Sequence, residues 1–125
     1  MLDHVSIGVR DLAAAKRFYD AALAPLGYRC LHEDGSGLGY GKDRAAFWIS
    51  ATGHPVPADD RSGLHFCFAA PSREAVAQFH RAALTAGGRD NGPPGLRPEY
   101  SGSYYAAFAV DPDGYRVEAY LDSPD

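Results

Sequence analysis

Apolar and polar residues alternate along residues 2–9. Val5, Ile7 and Val9 point one way, and Leu2, His4, Ser6 and Gly8 the other. A period of two predicts a strand with one strongly apolar face, and here the opposite face carries a histidine and a hydroxyl. Asp11 then supplies an N-cap. Residues 12–24 read as a helix with Leu12, Ala15, Phe18 or Tyr19, Ala22 and Leu26 along one stripe. Pro25 and Gly27 end it. Short strands follow at 28–33, 38–41 and 45–51, separated by the turn compositions Asp34-Gly35-Ser36-Gly37 and Lys42-Asp43-Arg44.

Residues 53–62, with Gly53, Pro55, Pro57 and two aspartates, read as a linker. Beyond it the order of elements starts again. Residues 64–69 alternate, with Leu64, Phe66 and Phe68 on one face and His65, Cys67 and Ala69 on the other. Ser72 caps a helix that runs to about Ala86, with Glu74 in its first turn where the dipole favours an acid. Gly87-Gly88 stops that helix, and residues 89–103, rich in Gly and Pro, are expected to form a loop. Residues 104–110 and 115–121 read as a closing pair of strands around the turn Asp111-Pro112-Asp113-Gly114.

The repetition is visible inside the chain. At an offset of sixty-one, His4 matches His65, Ala14 matches Ala75, Phe18 matches Phe79, Ala21-Ala22-Leu23 matches Ala82-Ala83-Leu84, and Gly27 matches Gly88. Near the end the match returns at an offset of seventy, setting the strand at 45–51 against the last strand. The fold class is therefore α+β, built from two tandem βαβββ units in a single domain over residues 1–125. Unit one covers about 1–52, the linker 53–62, and unit two 63–125.

The second histidine of the repeat, His65, leads to a candidate site. Val117, Ala119 and Leu121 form the apolar face of the last strand, which puts Glu118 on the face away from the helices, as His4 and His65 are on theirs. Two histidines and one carboxylate make a facial set of metal ligands that leaves coordination positions open, and nitrogen and oxygen donors suit Fe, Mn, Ni or Zn. Arg97, Tyr100, Tyr104 and Tyr105 cluster before the last hairpin. A guanidinium there suits a carboxylate or phosphate, and a tyrosine can donate to a developing oxyanion. Which of Tyr104 and Tyr105 faces the metal depends on the hairpin register. His32, His54 and His80 are expected at the surface.

Bulk properties narrow the function classes. The chain has 125 residues and a formal net charge of −4, with no cluster of Lys and Arg, which argues against nucleic acid as a partner. No apolar run approaches the roughly 20 residues of a membrane span, and no signal peptide is evident. Cys30 and Cys67 are far apart and are expected as reduced thiols, consistent with a cytoplasmic location.

The duplication, the opening Asp3-His4-Val5, the middle Leu64-His65-Phe66 and the ending Asp111-Pro112-Asp113-Gly114-Tyr115-Arg116-Val117-Glu118 together resemble the vicinal oxygen chelate superfamily. Its members include glyoxalase I, fosfomycin and bleomycin resistance proteins, extradiol dioxygenases and methylmalonyl-CoA epimerase. The resemblance covers essentially the whole chain. It implies a cupped, partly open mixed β-barrel with the helices outside, one divalent metal on His4, His65 and Glu118, and a metal-stabilised oxyanion or enediolate formed from a small oxygen-rich substrate. It also favours Tyr104 as the tyrosine facing the metal. Short members of the superfamily pair, so a homodimer is expected, with His4 from one subunit and His65 and Glu118 from the other as one arrangement. Glyoxalase I members usually add a fourth ligand from the fourth strand. Here Trp48 stands at that position and Ser50 is next on the same face, which leaves both as candidate substrate contacts and glyoxalase activity in question. An Fe(II) extradiol-type dioxygenase and a non-catalytic protein that binds an aromatic drug are the alternatives.

Overall fold

A computed structural model describes residues 1–124. Its elements, in chain order, are β1 (Val5–Val9), α1 (Leu12–Leu23), β2 (Arg29–Glu33), β3 (Gly37–Gly41), β4 (Ala45–Ala51), β5 (His65–Ala69), α2 (Arg73–Thr85), β6 (Arg89–Leu96), β7 (Tyr104–Val110) and β8 (Arg116–Asp122), with a single 3-10 turn at Ala24–Leu26. Two four-stranded sheets result, ordered β1-β4-β3-β2 and β5-β8-β7-β6. Each unit is therefore βαβββ, and the two sheets do not close into one barrel.

The duplication extends to strand register. The parallel pair β1–β4 sets Val5 against Phe47 and Ser6 against Trp48. The parallel pair β5–β8 sets Phe66 against Val117 and Cys67 against Glu118. Adding sixty-one to the first member and seventy to the second converts one set into the other, so both offsets read from the sequence describe backbone pairing.

Both helices start on the capping residues expected of them: Asp11 accepts from Ala14 N–H and Ser72 from Ala75 N–H, each at 3.0 Å. Helix α1 buries Ala15, Phe18, Tyr19, Ala22 and Leu23, and α2 buries Ala75, Val76, Phe79 and Ala83. The two helices also pack on each other. With Val9, Ile49, Ala107, Val117 and Ala119 they form one continuous core. Phe47 of unit one meets Phe66 and Phe68 of unit two, at ring separations of 5.8 and 5.3 Å, so the apolar face of β5 joins the two halves. The faces of the sheets opposite the helices are left open.

Two expectations are corrected. Residues 89–103 are not all loop, because Arg89–Leu96 forms β6 despite Pro93 and Pro94. It is an edge strand paired only with β7, and its register shifts at two places, which is where prolines and glycines are tolerated in a sheet. His80 is buried rather than superficial, with Nε2 2.8 Å from Asp90 Oδ1 at the start of β6. That carboxylate lets an imidazole occupy the helix–sheet interface.

Candidate functional site

The outer face of the second sheet is set by three strands. His65 and Cys67 project from β5, Glu118 from β8, and Tyr104 and Phe108 from β7. Register places Glu118 directly beside Cys67 on one side and Phe108 on the other. Glu118 is only 3 % exposed although it lies on the face away from α2. Its two oxygens are both engaged. His65 Nε2 lies 3.0 Å from Oε1, and the Tyr104 hydroxyl donates to Oε2 at 2.6 Å. A carboxylate only accepts, so His65 carries its ring hydrogen on Nε2 in this arrangement. His65 itself is half-exposed.

The electrostatics follow from this crowding. Loss of hydration, reinforced by the hydrogen bond to Glu118 and its charge, raises the Tyr104 hydroxyl pKa. Cys67 is pushed up to about 12, first by loss of hydration and then by the Glu118 charge, so its thiol is held protonated. A cavity of about 480 Å³ opens over this cluster, walled by His65, Glu118, Tyr104, Tyr100, Phe108 and Arg116, with Asn91 also at its edge. That volume is in the range of small-molecule sites. A second, more apolar groove of about 440 Å³ runs along the other side of β5, where Tyr28, Tyr40, Phe47, Phe66 and Phe68 line it.

The remaining candidate residues are placed as follows. His4 precedes β1, is exposed, and bonds Asp3 at 2.9 Å. Among the described residues, no three His, Cys, Asp or Glu side chains converge closely enough to hold a metal, so one chain brings together His65 and Glu118 but not His4. Trp48 faces His32, with rings 5.4 Å apart. Neither Trp48 nor Ser50 lines either cavity. Tyr100 packs edge-on to Tyr104 at 5.0 Å. Tyr105 points to the helix side, under the Arg73 guanidinium. Arg97 is tied to the backbone of its own hairpin, donating to Pro93 O at 2.6 Å and to Leu96 O at 3.4 Å and covering Phe108.

A profile of the glyoxalase/bleomycin resistance protein/dioxygenase superfamily matches residues 1–119. The chain belongs to that superfamily. It is 33 % identical over 129 residues to the uncharacterized protein YqjT of Bacillus subtilis strain 168, covering 94 % of this chain and 95 % of that one. A glyoxalase/bleomycin resistance protein from Albidiferax ferrireducens T118 superposes with a TM-score of 0.84 at 36 % identity, covering 94 % of this chain and 96 % of that one. The fosfomycin resistance protein FosX from Listeria monocytogenes superposes with a TM-score of 0.72 at 16 % identity, over 99 % of this chain and 94 % of that one, a likeness of fold.

Within this glyoxalase-type fold, sequence reasoning passed over Arg116, Cys67 and Phe108. The signal was available for the first two. Arg116 stands two residues before Glu118 and Cys67 two after His65, so strand parity puts both on the same face as the proposed ligands.

Proposed function

We propose that the chain is a divalent-metal-dependent enzyme of the vicinal oxygen chelate type acting on a small oxygen-rich substrate. His65 and Glu118 of one subunit and His4 of a second copy are its ligands. The observation that carries this reading is the buried Glu118 carboxylate with His65 Nε2 at 3.0 Å, on a sheet face that opens into a cavity rather than into the core. A half-exposed imidazole bonded to a buried carboxylate contributes little to net stability, so such a pair beside a solvent-accessible cavity is better explained by binding. The donor set fits Fe, Mn, Ni or Zn, but a single chain supplies two of the three proposed donors, and the exposed His4 is free to reach a partner.

When bound, a metal at this position would polarise substrate oxygen and lower the cost of an oxyanion. The chain's own residues do the rest. Tyr104 holds the second oxygen of Glu118 and so orients the carboxylate. Tyr100 and Phe108 give one side of the cavity an aromatic wall. For His65 Nε2 to bind a cation, the ring hydrogen must move to Nδ1, so the contact with Glu118 is exchanged for one to the metal.

Metal analysis of the purified protein and calorimetric titration with Mn²⁺ and Zn²⁺ test the reading. About one ion per chain is expected, with His65→Ala and Glu118→Ala each losing it. Protein that carries no metal and takes none up would overturn it. Glyoxalase assays and oxygen-electrode traces across a catechol panel then separate lyase from dioxygenase chemistry. The apolar groove along β5 favours one further reading, a protein that binds an aromatic ligand without catalysis. Saturable quenching of Trp48 or tyrosine fluorescence by a flat aromatic, unaffected by Glu118→Ala, would support that reading over the enzyme.

A further inference from the structure

The cavity beside Glu118 is lined by one arginine, Arg116, which among the described residues forms no ion pair. Arg116 is the parallel register partner of His65 and shares the Glu118 face of β8. It lines the cavity. Among the described residues no carboxylate pairs with it, its Nη1 donates to the Asp60 carbonyl at 3.0 Å, and its Nε is shut off from solvent with no partner. Glu118 shares this face but is not bonded to it, since the Glu118 oxygens are held by His65 and Tyr104.

The other arginines near these strands differ. Arg97 is bonded to two backbone carbonyls and stacked on Phe108. Arg73 also has an unpartnered Nε, but it lies over Tyr105, donates to Ser123 O and lines neither cavity. The Arg116 Nε is left without a hydrogen-bond partner in the cavity wall, and a planar guanidinium fork matches a carboxylate or a phosphoryl group at two points.

We propose that Arg116 anchors an anionic group of the substrate, so that the cavity takes a small oxyanion-bearing molecule, a carboxylate or a phosphate or phosphonate, with its charged end at Arg116 and the remainder reaching toward His65 and Glu118. The inference rests on the site described above and names the class of ligand it accepts, but anion capture by Arg116 does not itself require a metal. It also replaces Arg97 as the guanidinium that meets substrate.

The test is titration of the full-length protein, as purified and after chelation, with inorganic phosphate and separately with glycolate, followed by calorimetry and by amide NMR shifts at low ionic strength. Saturable binding of at least one is expected, with shifts centred on His65, Arg116 and Glu118. Phosphate binding more tightly points to a phosphoryl or phosphonyl substrate, and glycolate to a carboxylate. Losing charge-assisted hydrogen bonds of this kind costs roughly ten- to hundredfold in affinity, expected for Arg116→Gln. Arg116→Lys keeps the charge but loses the fork, and should bind several-fold more weakly than the parent while preserving the fold if Arg116→Gln does not. Arg97→Gln should bind as the parent does.

No saturable binding of either anion by the parent protein, or Arg116 variants that bind as tightly as the parent, would overturn the proposal. The two readings fail separately. Anion binding lost in Arg116→Gln with no metal ever taken up removes the metal and keeps the anchor, whereas a metal bound normally with anion affinity indifferent to Arg116 does the reverse.

Discussion

The Tyr19 hydroxyl of α1 donates to Asp111 Oδ2 at 2.6 Å, a bond that spans 92 positions and joins unit one to the β7–β8 turn of unit two. Asp111 is 4 % exposed and also accepts from the Asp113 and Tyr115 amides at 2.9 Å. Tyr115 in turn donates to the Gly8 carbonyl at 2.7 Å. The Asp-Pro-Asp-Gly turn, the most specific part of the resemblance, thus works as an inter-unit fastening just before the strand that carries Glu118. Burial raises the Asp111 pKa against these hydrogen bonds. Tyr19→Phe strips one donor from a buried carboxylate and should cost about 1–3 kcal/mol, read as a lower urea midpoint with an unchanged slope. An unchanged midpoint would show that the fastening is idle.

If Glu118 holds a metal, Tyr104 should act on it through that carboxylate. Its hydroxyl sits 2.6 Å from Oε2, and removing the partner that orients a ligating carboxylate typically weakens metal binding about 10–100-fold. Tyr104→Phe is therefore expected to keep the fold and to lose affinity on that scale in a calorimetric Mn²⁺ titration. Full affinity in Tyr104→Phe would restrict this tyrosine to lining the cavity.

Sharing of the site between subunits has a direct test by mixing. If His4 completes the site of a partner, His4→Ala and Glu118→Ala proteins are each metal-free, but their mixture forms mixed dimers in which one site has all three ligands. Statistical pairing would then restore about one site in four. Intra-chain sites cannot be rescued this way, because every chain carries a lesion. Metal retention after exchange and desalting distinguishes the two, and a monomer by light scattering would exclude the shared arrangement.

The order of elements was legible because both units alternate cleanly at period two and carry capped, striped helices. Strand β6 was not, since Pro93 and Pro94 look like loop until pairing with β7 places them in the register shift between Gly92 and Gly95, where no ladder donor is needed. His80 was misread because its partner Asp90 lies in the next strand, beyond any helical spacing. For the site, parity was enough to put His65 and Glu118 on one face. The choice of Tyr104 over Tyr105 came from the family resemblance, because the hairpin register is not written in the sequence. Arg97 attracted attention because it sits among tyrosines, yet its guanidinium is consumed by the Pro93 and Leu96 carbonyls of the strand that precedes it. Arg116 had the right parity, but nothing in a linear pattern shows which of two guanidinium groups lines the cavity.

Acid should destabilise the protein partly through Asp34. Its carboxylate accepts from the Ser36 and Gly37 amides and the Ser36 hydroxyl, each at 2.9 Å, and lies 3.0 Å from His32 Nε2. These bonds, the Ser36 amide first and His32 next, hold its pKa well below the ordinary 3.8. A carboxyl depressed in the folded state contributes stability that is full above its unfolded pKa and lost as pH falls below it. The β2–β3 turn should therefore weaken from about pH 4 downward. Asp34→Asn is expected to flatten the dependence of the thermal midpoint on pH in that window, and a slope equal to the parent's would assign the acid sensitivity to other carboxylates.

The matched glycines Gly27 and Gly88 occupy equivalent places in the repeat but serve different needs. Gly27 ends the turn after α1 at φ 90° with open space around it, so a methyl group there meets only backbone strain. After α2 the positive φ has moved to Gly87, at 100°, and Gly88 is instead packed against its surroundings: a Cβ would lie 2.5 Å from Phe18 Cε1 and 2.8 Å from the Ala83 and Val110 carbonyl oxygens. Two of those three neighbours are backbone and cannot turn aside. Gly27→Ala should cost about 1–2 kcal/mol, the usual left-handed strain for a residue with a Cβ. Gly88→Ala forces apart α1, the end of α2 and β7, and should cost about 1–3 kcal/mol or more as overpacking, with the larger loss of the two in urea denaturation. Phe18→Leu, by shortening the ring that the new methyl meets, should recover part of the Gly88→Ala loss. Equal costs for the two alanines, or no recovery in the double variant, would mean that the contact between the units yields more easily than its geometry implies.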